Sequence, residues 1–145
     1  MEKIITHSTL ETKTLGQVIG QACLGGEVFS LSGNLGAGKT TFLQGLAIGL
    51  GVSGRVNSPT FNILKIYKTK KGSPVKFFCH IDAYRLTSTK DLETLGIKEI
   101  LSAQDTVTAI EWAEKVKQVF PKNTIKIKAK HISVDEREFV VSDKK

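Results

Sequence analysis

The run Gly33-Asn34-Leu35-Gly36-Ala37-Gly38-Lys39-Thr40 limits what this chain can fold into more than any other feature. It fits G-x-x-x-x-G-K-[ST], a glycine-rich turn whose backbone N–H groups wrap the phosphates of a nucleotide. In that pattern Lys39 reaches the β- and γ-phosphate oxygens and the Thr40 hydroxyl sits on Mg²⁺. Such a loop works between a buried strand and a helix whose N-terminus faces the phosphates. Both flanks are present. The apolar run Val28-Phe29-Ser30-Leu31 precedes it, and Phe42, Leu43, Leu46, Ala47 and Leu50 follow at helical spacing. Together these residues predict a nucleoside-triphosphate site on an α/β fold.

Strands and helices alternate around that unit. Ile4-Ile5-Thr6 predicts a short first strand. Ser8 with Glu11 predicts a capping box, and Leu15, Val18, Ile19 and Ala22 the apolar face of the helix it opens. Gly49-Leu50-Gly51 ends the helix after the phosphate loop. Phe61 to Tyr67 and Val75 to Ile81 predict strands joined by a polar hairpin turn over Lys68–Ser73. Asp91 to Leu101 predicts a helix broken around Gly96, and Thr106 to Ile110 a strand. A short helix is expected from Trp112 to about Val119, stopped by Pro121. Ile125, Ile127 and Ala129 alternate with Lys126, Lys128 and Lys130, as in a strand with one wet face, and Phe139-Val140-Val141 is its expected hairpin partner. The fold expected is a P-loop NTPase-like, mostly parallel sheet flanked by helices, with antiparallel hairpin additions. At 145 residues, one domain over positions 1–145 is expected.

Composition narrows the setting. Hydrophobic residues make up 40% and charged residues 24%, the balance of an ordinary soluble protein. No signal-peptide core or stretch approaching a membrane span is visible, so no membrane association and a cytoplasmic location are expected. Cys23 and Cys79 lack metal-like spacing and sit in apolar patterns, which predicts buried, reduced thiols. The net charge is +7, and lysine supplies all of the 21 basic residues except Arg55, Arg85 and Arg137. Specific phosphate and base recognition leans on arginine, so this charge fits either direct nucleic-acid contact or plain solubility.

Two expected strands end in a carboxylate, where an open α/β sheet places its ligand. Phe77-Phe78-Cys79-His80-Ile81 runs into Asp82, and Val107-Thr108-Ala109-Ile110 into Glu111. Mg²⁺ takes oxygen ligands, and a second carboxylate orients the attacking water in an NTPase. Alternatively each acid caps the next helix or turn. Trp112 either shields the site or packs in the core. Ser58-Pro59-Thr60 reads as a γ-phosphate-sensing switch or a rigid turn. His80 reads as a packed, hydrogen-bonded histidine rather than a ligand or base. Arg85 either pairs with a carboxylate, touches a phosphate or meets a partner.

With these residues in place, the chain resembles the TsaE (YjeE) family, small ATPases of tRNA threonylcarbamoyladenosine biosynthesis. The matching pieces run in the family's order: Gly33 to Thr41, Ser58-Pro59-Thr60-Phe61, His80-Ile81-Asp82-Ala83-Tyr84-Arg85-Leu86, Leu95-Gly96-Ile97 and Ile110-Glu111-Trp112. They span about Ser8 to Pro121, and the H-x-D-x-Y-R and E-W motifs make the likeness specific. The resemblance implies ATP and Mg²⁺ as cofactors and a TsaB–TsaD pair as partner. The pathway attaches a threonylcarbamoyl group to adenosine 37 of certain tRNAs, a transfer this chain is not implied to perform itself. It also implies a nucleotide site of Asn34, Leu35, Gly36, Ala37, Gly38, Lys39, Thr40 and Thr41. Thr60, Trp112, Arg137 and an adenine contact at Thr9 complete it, with Thr40, Glu111 and Asp82 at the metal and Asp82, Glu111 and Lys39 catalytic. Ala83, where a larger apolar residue is commoner, and the basic tail depart from the family's pattern.

Hydrolysis is expected to be slow in the isolated chain and stimulated by its partner, because only Arg85 and Arg137 are available as arginine fingers in cis. Two other readings share the loop. A small-molecule kinase needs several arginines clamping phosphates under a lid, and this chain has only three. A nucleotide-switched RNA-binding module would use Lys126, Lys128 and Lys130 with Lys68, Lys70 and Lys71, which otherwise serve as solvated lysines that block edge pairing. No Asn/Thr-Lys-x-Asp guanine loop is present, so ATP is favoured over GTP.

Overall fold

A computed structural model describes residues 1–34, 36–56 and 63–143. The strands are β1 (Glu2–Thr6), β2 (Val28–Ser32), β3 (Leu64–Lys68), β4 (Phe77–Asp82), β5 (Thr106–Glu111), β6 (Ile125–His131) and β7 (Arg137–Asp143). The helices are α1 (Thr9–Gln21), α2 (Lys39–Leu50), α3 (Lys90–Glu93) and α4 (Ile97–Ser102). All strands join one seven-stranded sheet in the order β1-β7-β6-β2-β5-β4-β3. The four central strands, β6, β2, β5 and β4, are parallel. Antiparallel pairings close both ends, β3 against β4 at one and, at the other, β7 against β6 with β1 against β7. The expected mostly parallel sheet with hairpin additions is what the chain forms.

Two apolar clusters cover the sheet. One gathers Phe29, Leu31, Phe42, Leu43, Leu46, Phe78, Ile127 and Phe139 beneath α1 and α2. The other gathers Cys79, Ile81, Ile110, Leu92, Ile97 and Val116 under the helical segments on the far face. Every residue of β5 is buried, as a strand covered on both faces must be.

Helix α1 differs from its expected packing. Leu15 and Ile19 do meet the core, but Val18 is 58% exposed and Ala22 lies in solvent. The buried line is instead Thr12, Gly16 and Gly20, spaced four apart. A Cβ on Gly16 would lie 2.2 Å from the Phe42 carbonyl oxygen, and one on Gly45 of α2 would lie 1.9 Å from that of Lys13. Glycine on both helices lets the two backbones touch, a contact that an apolar-periodicity reading passes over. The helix expected from Trp112 to Val119 is two 3₁₀ turns, Ala113–Lys115 and Lys117–Val119, separated by Val116 at φ −137°. The break at Gly96 between α3 and α4 is present, with φ 78°.

The lysine rows separate by position in the sheet. Lys68 ends β3, an edge strand, where charge blocks further pairing. Lys126, Lys128 and Lys130 sit on β6, which is paired on both sides, so edge blocking does not explain them. They are exposed on the face opposite the buried Ile127 and Ala129, and they solvate it.

Candidate nucleotide-binding site

The loop between β2 and α2 is built by backbone that only glycine adopts easily. Gly33, Gly36 and Gly38 take φ of 140°, 81° and 98°. Gly33 also lies against β6, where a Cβ would come within 2.3 Å of the Ala129 carbonyl oxygen. Gly38 caps α2 with no side chain of its own, leaving the amides of the first turn turned toward the loop. Lys39 opens that helix and is buried. Its ammonium donates to the Gly33 carbonyl at 2.6 Å and lies 3.5 Å from the centre of the Trp112 ring. Burial lowers its pKa below the ordinary 10.5, partly offset by the charges of Glu111, Glu114 and Asp82.

The two strand-end acids meet. Asp82 and Glu111 are register partners at the last position of β4 and β5. Asp82 caps its own turn, accepting from the Tyr84 amide at 3.0 Å, while its position at the strand end puts it on the cleft. Glu111 is buried, and its Oε2 lies 2.8 Å from Nε2 of the buried His80. Trp112 packs on the second apolar cluster and also lines the cleft. Its φ of 58° makes it the one non-glycine residue with positive φ among those described. Tyr84 leans on its ring at 4.9 Å between centroids.

A cleft of about 480 Å³ unites the pieces. Of the residues expected at the site, Thr9, Gly36, Ala37, Gly38, Lys39, Thr40, Thr41, Asp82, Glu111, Trp112 and Arg137 line it. Asn34 does not; its carbonyl accepts the Ala37 amide and closes the loop. Leu35 and Thr60, with the rest of Ser58-Pro59-Thr60-Phe61, lie outside the described residues. Arg137 reaches the loop from β7: its Nε donates to the Gly36 carbonyl at 2.9 Å, and its Nη1 to those of Ser133, Val134 and Glu136.

Known proteins match this arrangement along nearly the whole chain. The family described as Threonylcarbamoyl adenosine biosynthesis protein TsaE matches residues 6–139. The chain belongs to the TsaE family. The tRNA threonylcarbamoyladenosine biosynthesis protein TsaE of Treponema pallidum is 34% identical over 140 residues, covering 97% of this chain and 99% of its own. That of Bacillus subtilis is 39% identical over 128 residues, covering 88% of this chain and 77% of its own. The crystal structure of Bacillus subtilis YdiB superposes with a TM-score of 0.80 at 31% identity, covering 99% of this chain and 86% of that one.

Within this TsaE chain the cleft has further walls. Ser8 and Thr12 line it beside Thr9, and Tyr84, Val134 and Asp135 complete it. The sequence shows Ser8 only as a helix cap, its Oγ accepting the Glu11 amide at 3.0 Å, and it gives Thr12, which bonds Thr6 through their hydroxyls at 2.6 Å, no signal of its own. Val134 and Asp135 carry no local signal, because sheet order alone swings the β6–β7 turn over the phosphate loop. Arg85 is exposed and does not line the cleft.

Proposed function

We propose that this chain is a Mg²⁺-dependent ATPase that works with a TsaB–TsaD pair in the threonylcarbamoylation of adenosine 37 of tRNA. The observation that carries the reading is the single cleft in which the glycine loop, Lys39 and Thr40 face the paired acids Asp82 and Glu111. The names of the curated relatives supply the pathway.

The residues suit the chemistry. Loop amides and the α2 N-terminus present fixed partial positive charge to phosphate oxygens. Lys39 would exchange the Gly33 carbonyl for those oxygens, a trade of a neutral partner for a charged one. Thr40, Asp82 and Glu111 offer hard oxygen donors, and no cluster of three or more His, Cys, Asp or Glu exists among the described residues. That donor set fits Mg²⁺, which keeps waters and takes phosphate oxygens rather than an all-protein cage. Bound there, the ion would neutralise charge developing on the phosphates. Of the two acids, buried Glu111 is suited to orient the attacking water.

Slow hydrolysis in isolation follows from the arginines. Arg137 is the one arginine lining the cleft among the described residues, and its Nε and Nη1 are spent on four backbone carbonyls. Transition-state charge would then be completed from a partner. The test is Mg²⁺-dependent ATP hydrolysis by the wild type and Glu111→Ala, each with and without TsaB–TsaD. Stimulation by the pair that vanishes in the variant is expected. Unstimulated, rapid hydrolysis by the chain alone, or stoichiometric phosphorylation of a metabolite, would overturn the reading.

A further inference from the structure

We infer that His80 is a positioning residue for Glu111: it donates its Nε2 proton to the carboxylate and so holds that group aimed at the cleft. The inference rests on the ATPase reading for its consequence, though not for its geometry. His80 is 1% exposed and Glu111 3%, and their side chains meet at 2.8 Å. A histidine in the middle of a buried strand has an apolar alternative at every neighbouring position, since Phe78, Cys79 and Ile81 are all fully buried on the same strand.

The ring's other nitrogen fixes the direction of the bond. Nδ1 is buried and has no hydrogen-bond partner. A proton there would be a donor left unmade in a low-dielectric interior, whereas a bare lone pair is the less costly orphan. The proton therefore belongs on Nε2, facing Glu111 Oε2, and the carboxylate is the acceptor. The ring has little freedom to turn away. It stacks on Phe78 with ring centroids 6.2 Å apart and planes 14° from parallel.

The strand geometry links this pair to the cleft. His80 and Asp82 share a face of β4, as residues two apart must. Asp82 and Glu111 are opposite each other at the strand ends. His80 thus reaches diagonally, from two residues before Asp82 to Glu111 on the next strand. A hydrogen-bonded partner behind a working carboxylate fixes its orientation, and removing such a partner costs about 10–100-fold in activity or metal affinity.

Two variants and two readouts test this. Nitrogen-proton correlation spectra of the wild type, assigned to His80 by comparison with His80→Leu, report which nitrogen carries the proton. An Nε2–H tautomer is expected; an Nδ1–H tautomer overturns the inference whatever the activity. In TsaB–TsaD-stimulated hydrolysis, His80→Leu is expected to lower kcat about 10–100-fold with KM for ATP within about twofold. His80→Gln, which returns an N–H donor near the Nε2 position, is expected to restore most of that loss. Wild-type kcat in folded His80→Leu overturns the inference, as does equal loss in both variants. An inactive wild type would instead sink the ATPase reading and leave the tautomer to decide this one.

Discussion

Lys39 is held in a place that it can occupy only at a cost. Its ammonium has a carbonyl and an indole face as near partners, and burial lowers its pKa below 10.5. On raising pH through the window between that lowered value and 10.5, the folded chain loses the proton before the unfolded one does. The unfolded state then binds more protons, so this residue's contribution to stability rises with pH there and is unfavourable below it. Lys39→Met should therefore fold at neutral pH with an undiminished denaturation midpoint, and should lack the alkaline increment. Denaturant midpoints measured from neutral to alkaline pH check this. The cysteines behave differently: burial pushes the thiols of Cys23 and Cys79 up to about 12, with the Glu27 charge adding to the effect at Cys23. Both should resist alkylation in the native protein at pH 8 and react once denaturant is added. Fast labelling of either thiol under native conditions would contradict the packing described.

At the scale of elements, the α1–α2 contact decides where the start of α1 sits relative to the phosphate loop. Gly16 and Gly20 on α1 and Gly45 and Gly49 on α2 each bring backbone within reach of backbone, with Cβ positions 1.9–2.4 Å from a carbonyl oxygen of the other helix. Gly45→Ala cannot be absorbed by a side-chain rotation, because the obstacle is main chain. The helices must part, at a cost of about 1–3 kcal/mol or more. A fall in thermal midpoint of about 2–10 °C is expected. Since Ser8, Thr9 and Thr12 ride on α1 into the cleft, nucleotide affinity should fall as well. Unchanged affinity in folded Gly45→Ala would mean that α1 contributes nothing to the site.

For the whole molecule, the cleft draws on widely separated stretches: the start of α1, the phosphate loop, the ends of β4 and β5, and the β6–β7 turn. A ligand that bridges them stabilises the fold as a unit. At a hundred times its dissociation constant it adds about 2.7 kcal/mol, or about 5–10 °C in thermal midpoint for a chain of this size. Mg²⁺-ATP should give such a shift in the wild type, and Lys39→Met should lose it. Differential scanning fluorimetry with ATP, with GTP and with neither distinguishes this from a general salt effect.

The sequence alone determined whatever depends on neighbours along the chain. The glycine loop, its flanking strand and helix, the Ser8 cap, the break at Gly96, and the acids closing β4 and β5 are set by spacing, backbone freedom and apolar period, all of them local. The family, too, was legible in short motifs at their order. Contacts between distant residues required the tertiary structure. Helix α1 packs through glycines, which carry no hydrophobic signal, so periodicity pointed at Val18 and Ala22 instead. The segment after Trp112 closes as 3₁₀ turns, where the strained Trp112 must cover Lys39 rather than continue a helix. Lys126, Lys128 and Lys130 proved interior in the sheet only once β6 was seen paired with β2. The bond from His80 to Glu111 spans two strands, and that from Arg137 to Gly36 spans most of the chain. Pairing across a sheet is fixed by strand order, and strand order minimises exposed apolar area over the whole chain at once, which no local window of residues contains.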